Sequence, residues 1–251
     1  MFAAGSYLQT EGTAMPGLGT LINMALIVAG GLVGLVCGRF VDERMQDALM
    51  KAAGVSVMFI GIGGAVEQML AVHGASVASG GTATIVVSLA VGTVAGELLG
   101  IEGWFERLGT WLKRVTGNAQ DRSFVNGFVT ASLTVSIGAM AIVGSIQDGV
   151  EGDWTVLALK GAVDAIIICV MAASMGPGCL FSAIPVGVFE GAVTLLARAV
   201  EPLLTQQALA NLSMVGSILI FCIGVNLIRE NTFRAANMLP AVLVAVACAF
   251  V

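Results

Sequence analysis

The chain has 251 residues, of which 57% are apolar and only 11% charged, with a net charge of −5. Soluble domains carry nearer a quarter of their residues as charges, so this composition excludes a surface that faces water all round. The acidic balance also argues against a nucleic-acid partner. What remains is a chain solvated by lipid, and its 33 glycines suit helices that approach one another closely in a bilayer.

The segment 1–18 opens without a basic region or a sustained apolar run, so it does not read as a cleavable signal peptide. A run of about 20 apolar residues crosses a bilayer as a helix. That rule predicts spans at 19–38, 48–70, 80–100, 124–147, 155–175, 179–200, 209–228 and 235–251, the last of them short. The whole of 1–251 therefore reads as one transmembrane domain, an all-α polytopic bundle of about eight helices. Gly176-Pro177-Gly178 predicts a tight turn between the fifth and sixth spans. Residues 102–116 follow a different pattern. Trp104, Phe105, Leu108, Trp111, Leu112 and Val115 recur at helical spacing, with Glu106, Arg107, Lys113 and Arg114 between them. This is an amphipathic helix expected to lie in the membrane interface.

One internal repeat is visible. A shift of about 62 residues lays Gly19-Thr20 on Gly81-Thr82 and Gly30, Gly34 and Gly38 on Gly92, Gly96 and Gly100. The first and third spans thus share a glycine stripe, available either for packing within one subunit or for a homodimer. Gly187 and Gly191 in the sixth span have similar spacing. If that span is a further copy, spans three to five and six to eight form an inverted pair of the kind found in secondary transporters. With an even number of spans and both termini outside, nine of the eleven Lys and Arg residues fall in inner loops, Lys160 and Arg198 being the exceptions. That distribution matches the positive-inside rule.

Ionisable residues within a span are costly and therefore candidates for function. Asp164 lies about nine residues into the fifth span, roughly 13 Å deep at about 1.5 Å per residue, and Lys160 is one turn away on the same face. Lys160 is shallow enough to snorkel to the outer surface. Either the pair is structural, or Asp164 binds a coupling ion and Lys160 meets an anionic group. Glu190 falls near the middle of the sixth span, after Pro185 and Ser182, in a stretch expected to be kinked or broken. The fourth span carries a polar run with Thr134, Ser136, Gly138 and Ser145, and Asp148 at its outward end is a candidate gate or cation site. Glu67 and Glu97 sit at span ends, and Asn23 and Asn226 are lesser candidates. The five cysteines are spaced singly in apolar stretches, without a CxxC pair, and His73 falls in a loop; neither suggests a metal or redox site. There is no HExxH, GxSxG or GxxxxGK[ST] motif and no cofactor signature. The expectation is a non-enzyme without a cofactor or catalytic residues.

The chain resembles the YdfK/YqgA-like bacterial membrane proteins, a family defined by a domain of unknown function. The likeness covers residues 19–240 and rests on several motifs. These are GT-x-x-N (Gly19 to Asn23), GFVTASL (Gly127 to Leu133), SIGAMAIVGSIQDG (Ser136 to Gly149), K-x-x-x-D (Lys160 to Asp164), SAIPV (Ser182 to Val186) and NMLP (Asn237 to Pro240). One departure is Phe189-Glu190-Gly191, where the resemblance leads one to expect a tyrosine-glutamine-glycine sequence. The resemblance implies an inner-membrane protein and a transporter, but no substrate. From the residues, the leading expectation is a secondary transporter of a small polar solute, an organic anion or amino acid, coupled to H+ or Na+. A cation channel lined by Asp148, Asp164 and Glu190, and a structural or regulatory membrane protein, are the alternatives.

Overall fold

The computed structural model describes residues 15–40, 42–73, 76–117, 123–136, 139–200, 205–229 and 232–250. The expectations placed on residues 1–14, on Gly138, on Arg122 and on the His73 side chain lie outside the described residues.

The helices are α1 (Leu18–Gly38), α2 (Glu43–Met69), α3 (Thr82–Leu99), α4 (Ile101–Val115), α5 (Phe124–Ser136), α6 (Ala139–Val150), α7 (Thr155–Met175), α8 (Ala183–Leu195), α9 (Ala197–Val200), α10 (Gln206–Ile228) and α11 (Pro240–Ala247). A 3-10 segment, Pro177–Ser182, leads into α8, and others flank α11. Between α2 and α3, where the sequence suggests only a loop, strands β1 (Leu70–His73) and β2 (Ser76–Ser79) pair antiparallel.

Six helices are long and apolar enough to cross a membrane, and α5 with α6, bent by 64°, makes a seventh where the pair counts as one span. Ala235–Phe250 is apolar but shorter. The single fourth helix expected over 124–147 is thus corrected to two helices. The miss has a simple cause: hydropathy is continuous across the bend, so apolarity does not distinguish a bent pair from a single helix. The sixth span also differs from expectation. Gly176, at φ 84°, makes the predicted turn, and the irregular backbone is the 3-10 segment before α8. Pro185 sits in the first turn of α8, where its missing N–H removes no intrahelical bond, and so it does not break the helix.

Glycines set the pairing of the spans. Gly30, Gly34 and Gly38 of α1 lie against the carbonyls of Ala165, Cys169 and Ala173 of α7, so a Cβ at any of them would collide with backbone. Both sets of numbers rise together, so α1 and α7 run parallel. Gly92 and Gly96 of α3 lie in the same way on Ala241 and Asn237, and Gly61 of α2 on Phe221 and Ser217; these two pairs are antiparallel. The stripe on α1 from Gly30 to Gly38 and the Gly92 and Gly96 positions of α3 are therefore covered within the chain, whereas Gly100 is open.

Large apolar side chains point away from this core, with Leu195 88% and Leu98 84% exposed. Such a surface suits lipid and not water, and the protein is a multi-pass membrane protein. α4 lies at the end of α3, buries Leu112 beside Phe124 and Phe128, and leaves Trp104, Trp111 and Val115 exposed. The N–H of its second residue, Glu102, donates to Asn237 Oδ1 at 2.8 Å.

Candidate functional site

The site begins with a close helix contact. Gly161 of α7 faces the Cα of Asn23 on α1, where a Cβ would come within 2.9 Å of that atom. The absent side chain brings Asn23 beside Lys160 and Asp164. Asn23 Nδ2 donates to Glu190 Oε1 of α8 at 2.7 Å. Lys160 Nζ donates to Asp164 Oδ2, lies 3.3 Å from Glu190 Oε1, and donates to the Val135 carbonyl at 2.7 Å. α5 stops at Ser136, so the Val135 carbonyl is one of the four at a helix end without an intrahelical donor, at the negative end of the helix dipole. Three helices thus meet at one ammonium, and Asn23 adds a fourth through Glu190. Asn23, Lys160, Asp164 and Glu190 are all buried, and Lys160 points into the bundle and does not snorkel to a surface.

The position of the cluster corrects the expectation of mid-membrane depth for Glu190. Asn23 is five residues from the start of α1, Lys160 five from the start of α7, and Glu190 five from the end of α8. At about 1.5 Å per residue, Asn23, Lys160 and Glu190 lie roughly 8 Å below the face that carries Gly17 and Asp164 roughly 13 Å below it, and roughly 22 Å of α1 lies beyond Asn23. Apolar sequence continues to residue 200 and so suggests a deeper Glu190, whereas α8 ends at Leu195.

Asp148 is not in the cluster. Its Oδ2 accepts from the N–H groups of Gly17 at 3.0 Å and Gly19 at 3.2 Å, capping α1 one turn outward of Asn23. Gly149 beside it lies against the Thr194 carbonyl. Ser145 is one turn from Asp148 on α6, Thr20 one turn from Asn23 on α1, and Thr194 one turn from Glu190 on α8, and all three are buried. Thr20 Oγ1, Asn23 Oδ1, Ser136 Oγ, Ser145 Oγ, Asp148 Oδ1, Glu190 Oε2 and Thr194 Oγ1 have no hydrogen-bond partner among the described residues. Buried polar atoms are rarely left so. Thr20 and Thr194 were missed by the sequence reading; the available signal was that each lies one turn from a buried polar residue on the same helix face. The Val135 carbonyl, a backbone group freed by a bend, left no such signal.

The other expected residues lie apart from this cluster. Thr134 Oγ1 donates to the Thr130 carbonyl within α5 at 2.8 Å, and Ser182 Oγ to the Cys179 carbonyl at 2.7 Å, so both hydroxyls donate locally. Pro185 is in the first turn of α8, about one and a half turns from the Lys160 contact made by Glu190.

Chemically, one ammonium is shared by two carboxylates. With all three ionised, the cluster carries one uncompensated negative charge in a setting where such a charge is very costly. A proton or a small cation restores the balance.

The family model described as "Protein of unknown function (DUF554)" matches residues 18–250. The chain belongs to this family. Among its relatives, the "Uncharacterized membrane protein YdfK" of Bacillus subtilis (strain 168) is 28% identical over 226 residues, covering 90% of this chain and 93% of the relative. The "Uncharacterized protein YqgA" of Escherichia coli (strain K12) is 24% identical over 232 residues, covering 91% and 94%. No solved structure matches the chain. The family match bears out the resemblance read from the motifs, and membrane residence is its common ground with the Bacillus relative.

Proposed function

We propose that this family member is a secondary transporter in which Lys160, Asp164 and Glu190 bind a coupling H+ or Na+ while a small polar solute is moved. The observation that carries the reading is the Lys160 cluster itself: one buried ammonium, two buried carboxylates and a helix-end carbonyl meeting beside a bent span. Intramembrane ionisable groups mark ion and substrate paths, and broken helices are tolerated in lipid where they line such paths. Lys160 is already engaged by Asp164, Glu190 and Val135, which favours an amino acid, with its own ammonium for Glu190, over an organic anion. In this reading the protein is not an enzyme and resides in the bacterial inner membrane. Both termini are outside, because α4 and the basic loops around Arg39, Arg107 and Arg229 share the opposite face.

The test is uptake into proteoliposomes holding a pH-sensitive dye, with a panel of amino acids and dicarboxylates supplied under H+ or Na+ gradients. Solute-dependent ion entry, lost in Asp164→Asn and Lys160→Met, is expected. Absence of any solute-dependent ion movement in the wild type would sink the proposal. The unpartnered oxygens of Thr20, Ser145 and Thr194 favour a second reading, a cation channel. Single-channel currents without added solute would select it.

A further inference from the structure

We infer that the Lys160 cluster is reached from one side only, through Thr20, Ser145, Asp148 and Thr194, and that Ile27, Ile168 and Val186 form the barrier on the other side. The inference rests on the reading of the cluster as a binding place for a proton or small monovalent cation.

The helices that supply the cluster change character one turn to either side of it. On α1, Asn23 has Thr20 toward the Gly17 face and Ile27 away from it. On α8, Glu190 has Thr194 toward that face and Val186 away from it. On α7, Ile168 follows Asp164 away from the face. Ile27, Ile168 and Val186 are all fully buried and belong to one continuous apolar cluster with Met171, Met175 and Ala183. The side chains of Ile27, Ile168 and Val186 can hydrogen-bond neither water nor a cation.

Toward the Gly17 face the side chains are different. Thr20, Ser145, Asp148 and Thr194 come from three helices, and each is less than 7% exposed. Each also holds an oxygen with no hydrogen-bond partner among the described residues. Glu190 Oε2 and Asn23 Oδ1, in the cluster itself, are unpartnered as well. Hydroxyl and carboxylate oxygens are the acceptors that water and hard cations use. The polar layer is also the thin one, spanning roughly 8 Å of helix at about 1.5 Å per residue. On α7 the residue at this level is Leu157, which packs against Gly19 and Gly144, so the route runs between α1, α6 and α8 and not along α7.

The test is thiol accessibility in the reconstituted full-length chain, read site by site by mass spectrometry so that the native cysteines can stay. Thr194→Cys, Thr20→Cys and Val186→Cys are each treated with a membrane-impermeant cationic methanethiosulfonate and with an anionic one. Thr194→Cys and Thr20→Cys are expected to react at least about tenfold faster than Val186→Cys, and faster with the cationic reagent, since the acidic route concentrates cations. Val186→Cys reacting as fast as Thr194→Cys, or an anionic preference, overturns the inference. Should Thr194→Cys fail to accumulate, Ser145→Cys takes its place under the same criterion. Labelling requires no transport. If labelling holds but no solute moves, only the transporter reading falls; if solute moves but labelling fails, only the route falls.

Discussion

Lys160 donates to the Val135 carbonyl at 2.7 Å, in the last turn before α5 ends. One side chain thereby balances two carboxylates and also satisfies a helix end that the bend between α5 and α6 would leave bare. The charge cluster and the broken span are parts of one arrangement.

Removing that ammonium alone should therefore be severe. Lys160→Met leaves two buried carboxylates unpaired, and breaking a buried ion pair in this way costs about 3–5 kcal/mol. Replacing all three charges, as Lys160→Met with Asp164→Leu and Glu190→Leu, is expected to recover most of the loss. Thermal unfolding in detergent reads both; a triple variant as unstable as the single one would contradict this account.

The glycine contacts give a contrast within one protein. Gly30→Ala drives a methyl into the Ala165 carbonyl, and overpacking of this kind costs about 1–3 kcal/mol. Gly63 of α2 has nothing within 4 Å of where a Cβ would be, and Gly63→Ala should gain up to about 1 kcal/mol from helix propensity. Equal melting temperatures for the two variants would show that the α1–α7 contact is looser than described.

Asp148 caps α1 from a different helix. Asp148→Ala is expected to cost about 1–2 kcal/mol, the range for a lost N-cap. Asp148→Asn keeps one acceptor oxygen and should cost less. Loss of hydrogen-exchange protection at the start of α1 is the diagnostic readout, and unchanged protection in Asp148→Ala would refute the capping role.

Glu102, at the start of α4, has its carboxyl pushed above the usual range, first by burial and then by Glu106, with Arg234 opposing. The folded state thus holds the Glu102 proton more tightly than the unfolded one. This contribution is intact at low pH and is lost as pH rises through the raised value. Glu102→Gln should accordingly raise the melting temperature near pH 7 but leave it unchanged near pH 4. The same gain at both pH values would rule out titration as its cause.

Trp104 and Trp111 are exposed on α4 and should sit at headgroup level. Their fluorescence is expected to be quenched more by lipids brominated near the headgroup than by lipids brominated near the chain end. The reverse order would place α4 away from the interface.

Much of the architecture was legible because membrane spans announce themselves by apolarity and length. The six long helices fell where hydropathy put them, α4 declared itself by the alternation of tryptophans and charges, and Gly176 turned where glycine beside proline suggested. What apolarity cannot encode was lost: the bend between α5 and α6, and the shallow level of Glu190, which depends on where α8 stops. In the cluster, Lys160 and Asp164 were visible as neighbours on one helix. Their meeting with Glu190 and Asn23 was not, because it depends on how α1, α7 and α8 pack. Asp148, which reads as a cation site in sequence, is held by the amides of Gly17 and Gly19, contacts made across 129 residues or more.

That separation bears on biosynthesis. α1 leaves the ribosome long before either Asp148, which caps it, or α7, which covers its glycines. During that interval it can sit alone in lipid, since its 21 residues carry no charge. α7 has no such freedom, because Lys160 and Asp164 must cross beside partners that neutralise and hydrogen-bond them. The first helix is thus a waiting template, and the fifth span is the one whose insertion depends on assembly having begun.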